Sequence, residues 1–165
     1  MSYTEELGKK AKAAVAAAAG ASTQQKNDAL AAIAKALRDN KDTIIAENAK
    51  DIAAAQANGM TEAKQDRLKL DEKRIEGIAQ GVEQLIALAD PIGEVIGGGN
   101  RPNGLQIVKK RVPLGVIGII FESRPNVTVD AAALCLKAGS VVIQRRQGGY
   151  QLKHLPRQHH EKGSG

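Results

Sequence analysis

The 165-residue chain is long enough for one domain, and its 42% hydrophobic and 25% charged residues are typical of a soluble globular protein. No apolar run is long enough to cross a bilayer, and the acidic N-terminus lacks the apolar core of a secretory signal. Because Cys135 is the single cysteine, neither an intrachain disulfide nor a zinc site of several thiolates is expected. The sequence therefore predicts a cytoplasmic protein.

The net charge of +6 is concentrated near the C-terminus. Residues 145–165 hold five Lys or Arg and one Glu, whereas residues 1–144 hold nineteen Lys or Arg and seventeen Asp or Glu. The body of the chain is thus nearly neutral, and aromatic residues that would stack on bases make up only 2%. We therefore expect neither a nucleic-acid nor a membrane partner.

The first half of the sequence predicts helices. An Ala-rich stretch ends at Gly20, and the pair Ser22 and Gln25 predicts a capping box for the next helix. Asp42 and Asp71 are candidate N-caps for two further helices, and Asp90-Pro91 must end the last one because Pro lacks an amide hydrogen. Apolar residues at helical spacing give each of these helices a face for the core.

The pattern changes after Pro91. Short extended segments separated by Gly-rich turns occupy residues 94–112, and their alternation predicts amphipathic strands. Lys109–Arg111 has two interpretations, a phosphate-binding patch or a solvated strand edge. The second is favoured, since charges commonly protect sheet edges from aggregation.

A βαβ unit is predicted within residues 115–143. Gly115–Phe121 is a continuous apolar run, which is typical of a strand buried on both faces of a parallel sheet. Val127–Ala138 is a helical stretch, and Ser140–Ile143 is a second β-branched run. The predicted fold class is therefore α/β, with N-terminal helices followed by the start of a Rossmann-like parallel sheet.

The turn between the first of these strands and the helix is the candidate binding site. Its residues 121–126 read FESRPN, and open α/β sheets bind ligands at the carboxyl ends of their strands. The helix N-terminus presents free amides to an anion, and Arg124 adds a fixed positive charge. The alternative is that Pro125 only starts the helix and that Arg124 is solvated. The usual G-x-G-x-x-G fingerprint is absent.

Three segments, the second and third of which overlap at residues 111–115, carry a resemblance to a known family. They read NAKDIAAAQANGMTEAKQDRL from Asn48, ADPIGEVIGGGNRPNGLQIVKKRVPLG from Ala89, and RVPLGVIGIIFESRPNVTVDAAALCLKAGSVVI from Arg111 to Ile143. In order and spacing they resemble the gamma-glutamyl phosphate reductases of the aldehyde dehydrogenase superfamily. The resemblance covers roughly residues 5–145, the N-terminal part of that family.

The resemblance implies a reaction. Enzymes of this family reduce L-glutamyl 5-phosphate to L-glutamate 5-semialdehyde with NADPH and release phosphate, as the second step of proline synthesis. A cysteine thiolate displaces the phosphate to form a thioester, and hydride then gives the aldehyde. That cysteine belongs to a later region of the family, so Cys135, within an apolar helix, is predicted to be a buried structural thiol.

The resemblance also implies residue roles and assembly. Asn126 or Ser123 is the candidate oxyanion donor, and no catalytic residue beyond that is expected in this chain. Gly97–Gly99, with the strands near 94–112, resembles the arm through which the family forms homo-oligomers. The implied cofactor-binding residues are Phe121, Glu122, Ser123, Arg124 and Pro125 on the nicotinamide side, and Arg145 near the adenosine ribose and its phosphate.

Residues 144–165 depart from the family pattern. We expect a disordered basic tail or the product of a frameshift after Ile143, because codons exist for residues 144–151 whose shifted frame reads RGGKEAIN. His154, His159 and His160 in this tail are not expected to bind a metal, since nothing fixes their geometry. On this reading the chain is a truncated, inactive part of the enzyme.

Two other function classes stay open on the sequence. The first is a non-catalytic helical binding or assembly module, which would not bind NADPH. The second is a basic nucleic-acid adaptor, for which steeply salt-dependent binding to duplex DNA would be required.

Overall fold

The computed structural model describes residues 3–122 and 124–146. These ranges form mixed α/β structure, as the sequence predicts. The helices are α1 (Tyr3–Gly20), α2 (Thr23–Asp39), α3 (Lys41–Ala57), α4 (Glu62–Leu68), α5 (Glu72–Ala87) and α6 (Pro125–Lys137). The strands are β1 (Val95–Asn100), β2 (Gln106–Lys110), β3 (Val116–Phe121) and β4 (Val141–Arg146).

The predicted capping box at the start of α2 is confirmed. The Ser22 hydroxyl accepts a hydrogen bond from the Gln25 amide at 3.2 Å, and the Gln25 side chain accepts one from the Ser22 amide at 2.8 Å. At α5 the Asp71 carboxylate accepts from the amide of Arg74 at 2.8 Å, as predicted. Each bond satisfies an amide that has no partner within its helix.

The prediction for α3 is wrong by two residues. Asn40 is the N-cap, and the helix begins at Lys41, so Asp42 lies in the first turn instead of capping it. The cause is local: α2 and α3 share Asn40, whose side chain donates to the Ala36 carbonyl at 2.8 Å and closes α2. Asp42 still favours the helix, because a carboxylate near the N-terminus interacts favourably with its dipole.

The hydrophobic core lies between α2, α5 and α6. Its centre is built from five buried small or branched side chains, Leu30, Ala34, Ala79, Val82 and Ala133. The alanines let the helix backbones approach closely, which suits a sequence with one Phe and no Trp. This core anchors α6, and therefore fixes the position of the turn that precedes it.

The segment predicted as strands near 94–112 forms an antiparallel hairpin. β1 pairs with β2 from Val95 opposite Lys110 to Asn100 opposite Gln106, with a register shift between Val95 and Gly97. Every residue of both strands is exposed. The strands are therefore confirmed, but the expected division into a buried and a solvated face is not, because nothing among the described residues covers either face.

The predicted βαβ unit is confirmed. β3 and β4 pair in parallel from Val116 opposite Val141 to Phe121 opposite Arg146, and α6 connects them. The prediction that β3 is buried on both faces is wrong, since exposed and half-buried residues alternate along it. β4 continues through Arg146, three residues beyond the boundary drawn from the sequence, while residues 147–165 lie outside the described part.

In the part of the chain that the structure describes, no helix combines the length and the apolar character that a membrane span requires.

Candidate functional site

The predicted turn lies at the carboxyl end of β3. After Phe121 the Arg124 amide donates to the Glu122 carbonyl at 2.7 Å, and Arg124 is the extended N-cap of α6. Pro125 is the first residue of α6 and is buried, which suits Pro because that position needs no amide hydrogen. The turn therefore points the N-terminal end of α6 toward the edge of the sheet where α/β proteins bind ligands.

Two cavities of about 470 and 320 Å³ flank this turn. Both are lined by Arg124 and by Arg67 of α4, so the cavities lie between α4 and the turn. We call this space the turn cleft. Asn126 and Asp130 of α6 line the larger cavity, and Phe121 and Glu122 line the smaller one.

The wall opposite the turn is held in place by buried contacts. Leu68, the last residue of α4, is 0% exposed. Its backbone carbonyl accepts a hydrogen bond from the side-chain amide of the buried Asn48 at 2.9 Å. The Asn48 side-chain oxygen also accepts from the Leu70 amide at 2.7 Å. These bonds fix the end of α4, and with it the backbone at Arg67.

The charges in the turn cleft are only partly paired. Arg74 donates to the Asp66 carboxylate at 2.8 Å and to the carbonyls of Asp66 and Lys69, so it stabilises the end of α4. Among the described residues, neither Arg67 nor Arg124 takes part in an ion pair or a side-chain hydrogen bond. An unpaired guanidinium beside a cavity can bind a carboxylate or phosphate with two parallel bonds.

Asn126 already has one partner. Its amide nitrogen donates to the Asp130 carboxylate at 3.0 Å, one turn further along α6. An amide nitrogen carries two hydrogens, so the second is available to an oxyanion. Ser123, the other candidate donor, lies outside the described residues, and both roles stay predictions.

The structure brings most of the predicted cofactor residues to one edge of the sheet. Phe121 ends β3 and Glu122 follows it, and Arg124 is the N-cap of α6, which begins at Pro125. Arg145 lies on the neighbouring strand, paired with Ile120, and its side chain is exposed. Their roles in binding remain predictions, but the fold makes them neighbours.

Cys135 lies away from this edge. It is 6% exposed within α6, and burial raises the pKa of its thiol. A raised pKa leaves less thiolate at neutral pH, so the thiol is a poor nucleophile. Among the described residues no group of three or more His, Cys, Asp or Glu is placed to hold a metal ion.

Arg67 and Asp130 are among the residues of the turn cleft that were not identified from the sequence. Arg67 lies in α4, a helix of seven residues that the sequence analysis did not predict, and Asp130 lies one turn into α6. The sequence does contain a weak signal for α4. Thr61 is of a residue type favoured as an N-cap, and Glu62 after it places an acidic residue in the first turn. Nothing in the spacing placed Arg67 beside Arg124.

Curated proteins resemble the chain over most of its length. The gamma-glutamyl phosphate reductase of Clostridium botulinum strain Alaska E43 is 59% identical over 138 residues, which are 84% of this chain and 33% of that protein. The protein of the same name from Carboxydothermus hydrogenoformans is 58% identical over 139 residues, 84% of this chain and 34% of that protein. The chain thus spans about a third of the length of these relatives. No protein-family model matches the sequence.

Solved structures agree with the curated relatives. The crystal structure of gamma-glutamyl phosphate reductase from Thermotoga maritima matches with a TM-score of 0.82 at 42% identity, covering 86% of this chain and 34% of that one. The structure of the same enzyme from Saccharomyces cerevisiae matches with a TM-score of 0.85 at 31% identity, covering 89% and 38%. The chain therefore belongs to the gamma-glutamyl phosphate reductase family, and its fold corresponds to the N-terminal part of those structures.

Proposed function

We propose that this chain forms the cofactor-side N-terminal part of an enzyme that reduces L-glutamyl 5-phosphate to L-glutamate 5-semialdehyde with NADPH in proline biosynthesis. The observation that carries the proposal is the position of the β3–α6 turn, at the carboxyl edge of a parallel sheet in a chain of this family. Relatives with this name are 54–59% identical to it over about 84% of its length.

The residues at that edge fit an anionic dinucleotide. The N-terminal end of α6 offers the positive end of its dipole to a phosphate, although Pro125 has no amide hydrogen and the Val127 amide donates to the Arg124 carbonyl at 3.3 Å. Arg124 and the exposed Arg145 add positive charge from two neighbouring elements. When bound, NADPH supplies the hydride, and Phe121 and Glu122 would lie beside its nicotinamide end.

We further propose that the chain does not catalyse the reaction by itself. Its thiol, Cys135, is buried and has a raised pKa, so it cannot serve as the nucleophile that the family reaction uses. We accordingly propose that the chain binds NADPH without reducing substrate, and that catalysis requires residues found in the rest of the longer relatives. A cytoplasmic, homo-oligomeric enzyme is the context that this implies.

A chimera tests the proposed function. Residues 3–143 would replace the matching segment of the Clostridium botulinum relative, and oxidation of NADPH would be followed with L-glutamyl 5-phosphate as substrate. We expect activity within about tenfold of the parent enzyme, and no activity from the isolated chain. An inactive but folded chimera would contradict the proposal, as would activity with an unrelated acyl phosphate alone.

Cofactor binding is tested on the isolated chain. Because the chain contains no Trp, NADPH fluorescence can be measured without background from indole. We expect NADPH to bind, and Arg145→Gln to weaken its binding more than that of NADH. The matched control is Arg101→Gln in the exposed hairpin, which should change neither affinity.

The exposed hairpin supports a second candidate function, a non-catalytic assembly module. Val95, Leu105 and Val108 are 56–58% exposed in or beside its strands, a surface that suits a protein partner. On this alternative the chain would assemble through the hairpin and NADPH would not bind, which the fluorescence experiment distinguishes from the proposed function.

A further inference from the structure

The turn cleft is lined by two arginines, Arg67 and Arg124, whose side chains form no ion pair or hydrogen bond with the residues that the structure describes. Arg38 contacts the Glu76 and Glu83 carboxylates at 2.8 and 2.5 Å, and Arg111 contacts Glu94 at 2.8 Å. Arg74 is paired with Asp66 as described above. By contrast, Arg67 and Arg124 have no carboxylate partner in the described parts of the chain, yet both line the two cavities of the cleft.

The backbones that carry these two arginines are fixed on opposite sides of the cleft. Leu68 follows Arg67 and is 0% exposed, and the Asn48 bonds hold that end of α4. Pro125 follows Arg124 and is buried at the start of α6. A ligand bound between the two side chains would therefore pay little entropy for ordering the protein backbone.

The cleft also contains a group of opposite charge. Asp130 lines the larger cavity, and its contact with Asn126 occupies only one of its oxygens. Asp66 lines the same cavity but is paired with Arg74. Glu122 and Lys64 both line the smaller cavity, and Lys64 forms no ion pair with any residue that the structure describes. The larger cavity thus offers cationic and anionic partners together, and its volume of about 470 Å³ falls within the range of small-molecule sites.

We propose that the turn cleft binds the amino-acid end of the substrate, with Arg67 and Arg124 holding an anionic group and Asp130 facing the α-ammonium group. This inference rests on the proposed function and names the residues that select an amino acid. The anionic group at that end is the α-carboxylate, which a guanidinium can hold with two parallel hydrogen bonds. A zwitterion matches the cleft better than a simple anion, because Asp130 would repel the latter.

The test is an amide NMR titration of the full chain with four probes: L-glutamate, glutarate, inorganic phosphate and NADPH. Glutarate has both carboxylates of glutamate but no ammonium group. We expect L-glutamate to shift the amides of Gly77, Ile78 and Asn126 saturably. Arg67→Gln and Arg124→Gln should each weaken its binding at least about tenfold, because each removes charged hydrogen bonds.

Matched variants separate the two parts of the site. Asp130→Asn should weaken the binding of L-glutamate and strengthen that of glutarate, because it removes an attraction for the ammonium group and a repulsion of the simple anion. Arg67→Lys should bind L-glutamate with intermediate affinity, since it keeps the charge and loses the fork. Arg101→Gln, in the hairpin, should bind like the wild type. Arg67 and Arg124 are exposed, so the variants should fold, which their amide spectra would verify.

The probes also distinguish the sources of the anionic group. Loss of glutarate affinity in both arginine variants would support a carboxylate as the anionic group. If inorganic phosphate loses affinity in both variants and displaces L-glutamate, the pair would be assigned to the phosphoryl group and the inference would be overturned. NADPH affected by both variants while L-glutamate is not would overturn the inference. So would L-glutamate binding that neither variant changes. An active chimera with either of these results would leave the proposed function intact, whereas an inactive chimera and no NADPH binding would reject that function instead.

Discussion

At the scale of single residues, Lys26 and Asp90 form an ion pair that is largely buried. The Lys26 side chain is 2% exposed and its ammonium group donates to both oxygens of Asp90, at 2.9 and 3.1 Å. Burial raises the pKa of the Asp90 carboxyl, but hydrogen bonds from the Ile92 amide, Lys26 and Thr23 outweigh it and lower the pKa below its ordinary value. The pair joins α2 to the segment after α5.

We predict that Asp90→Asn lowers the free energy of unfolding by about 3 kcal/mol at pH 7, because it leaves a buried ammonium group without a counter-charge. The pKa of Asp90 is lower in the folded state than the value of 3.8 in the unfolded state, so its ionised form stabilises the protein fully when the pH is above 3.8. That stabilisation is lost as the pH falls through the folded-state pKa. The wild type and the variant should therefore converge in urea unfolding as the pH falls below 3.8 and on through the lowered pKa of Asp90.

The control for this prediction is an ion pair at the surface. Glu83 contacts Arg38 with both side chains 37–45% exposed, so Glu83→Gln should change the unfolding free energy much less than Asp90→Asn at pH 7. If both variants lost the same unfolding free energy, burial of Lys26 would not explain the destabilisation caused by Asp90→Asn.

At the scale of elements, the hairpin depends on one glycine. Gly98 has φ +154, and a Cβ placed there would lie 2.3 Å from the carbonyl oxygen of Ile107 on the paired strand. We predict that Gly98→Ala destabilises the hairpin locally by about 1–3 kcal/mol, through the clash and the unfavourable backbone conformation. Hydrogen exchange of the β1 and β2 amides measures this effect.

Gly99→Ala is the matched control for the hairpin. A Cβ at Gly99 meets no atom within 4 Å, and its φ is not in the region that favours glycine. The β1 and β2 amides of Gly99→Ala should therefore keep the same protection from hydrogen exchange as in the wild type. The α2 and α5 amides should stay protected in both variants, since the core does not include the hairpin; loss of protection there would contradict this account.

Several elements could be predicted because their signals are local. Ser22 and Gln25 specify the start of α2 by themselves, and the β-branched runs specify β3 and β4. Helix α4 could not be predicted, since its short segment has a single buried residue, Leu68, and depends on the Asn48 side chain from α3. The same contrast applies to the candidate site. The sequence FESRPN is enough to predict the turn, whereas the position of Arg67 beside it depends on the tertiary fold.

At the scale of the whole molecule, apolar surface is left open beside the parallel sheet. Ile120 on β3 is 70% exposed, Leu134 on α6 is 56% exposed, and Leu114 before β3 is 83% exposed. Strands of parallel sheets are normally buried on both faces. In the longer relatives, two thirds of the protein lies outside the region that this chain matches, and we infer that part of it covers the open face of β3.

This surface predicts how the isolated chain behaves. Since exposed apolar patches and free strand edges promote association, we expect light scattering to show self-association that increases with concentration, and a thermal transition whose midpoint depends on concentration. Ile120→Glu should reduce the association, because it places a charge on the open face of β3. Leu88→Glu adds the same charge at an apolar residue that is 59% exposed just after α5, and it should have little effect. A monomeric wild type with a sharp cooperative transition would show that the open face of β3 needs no cover, and the inference about the longer relatives would then fail.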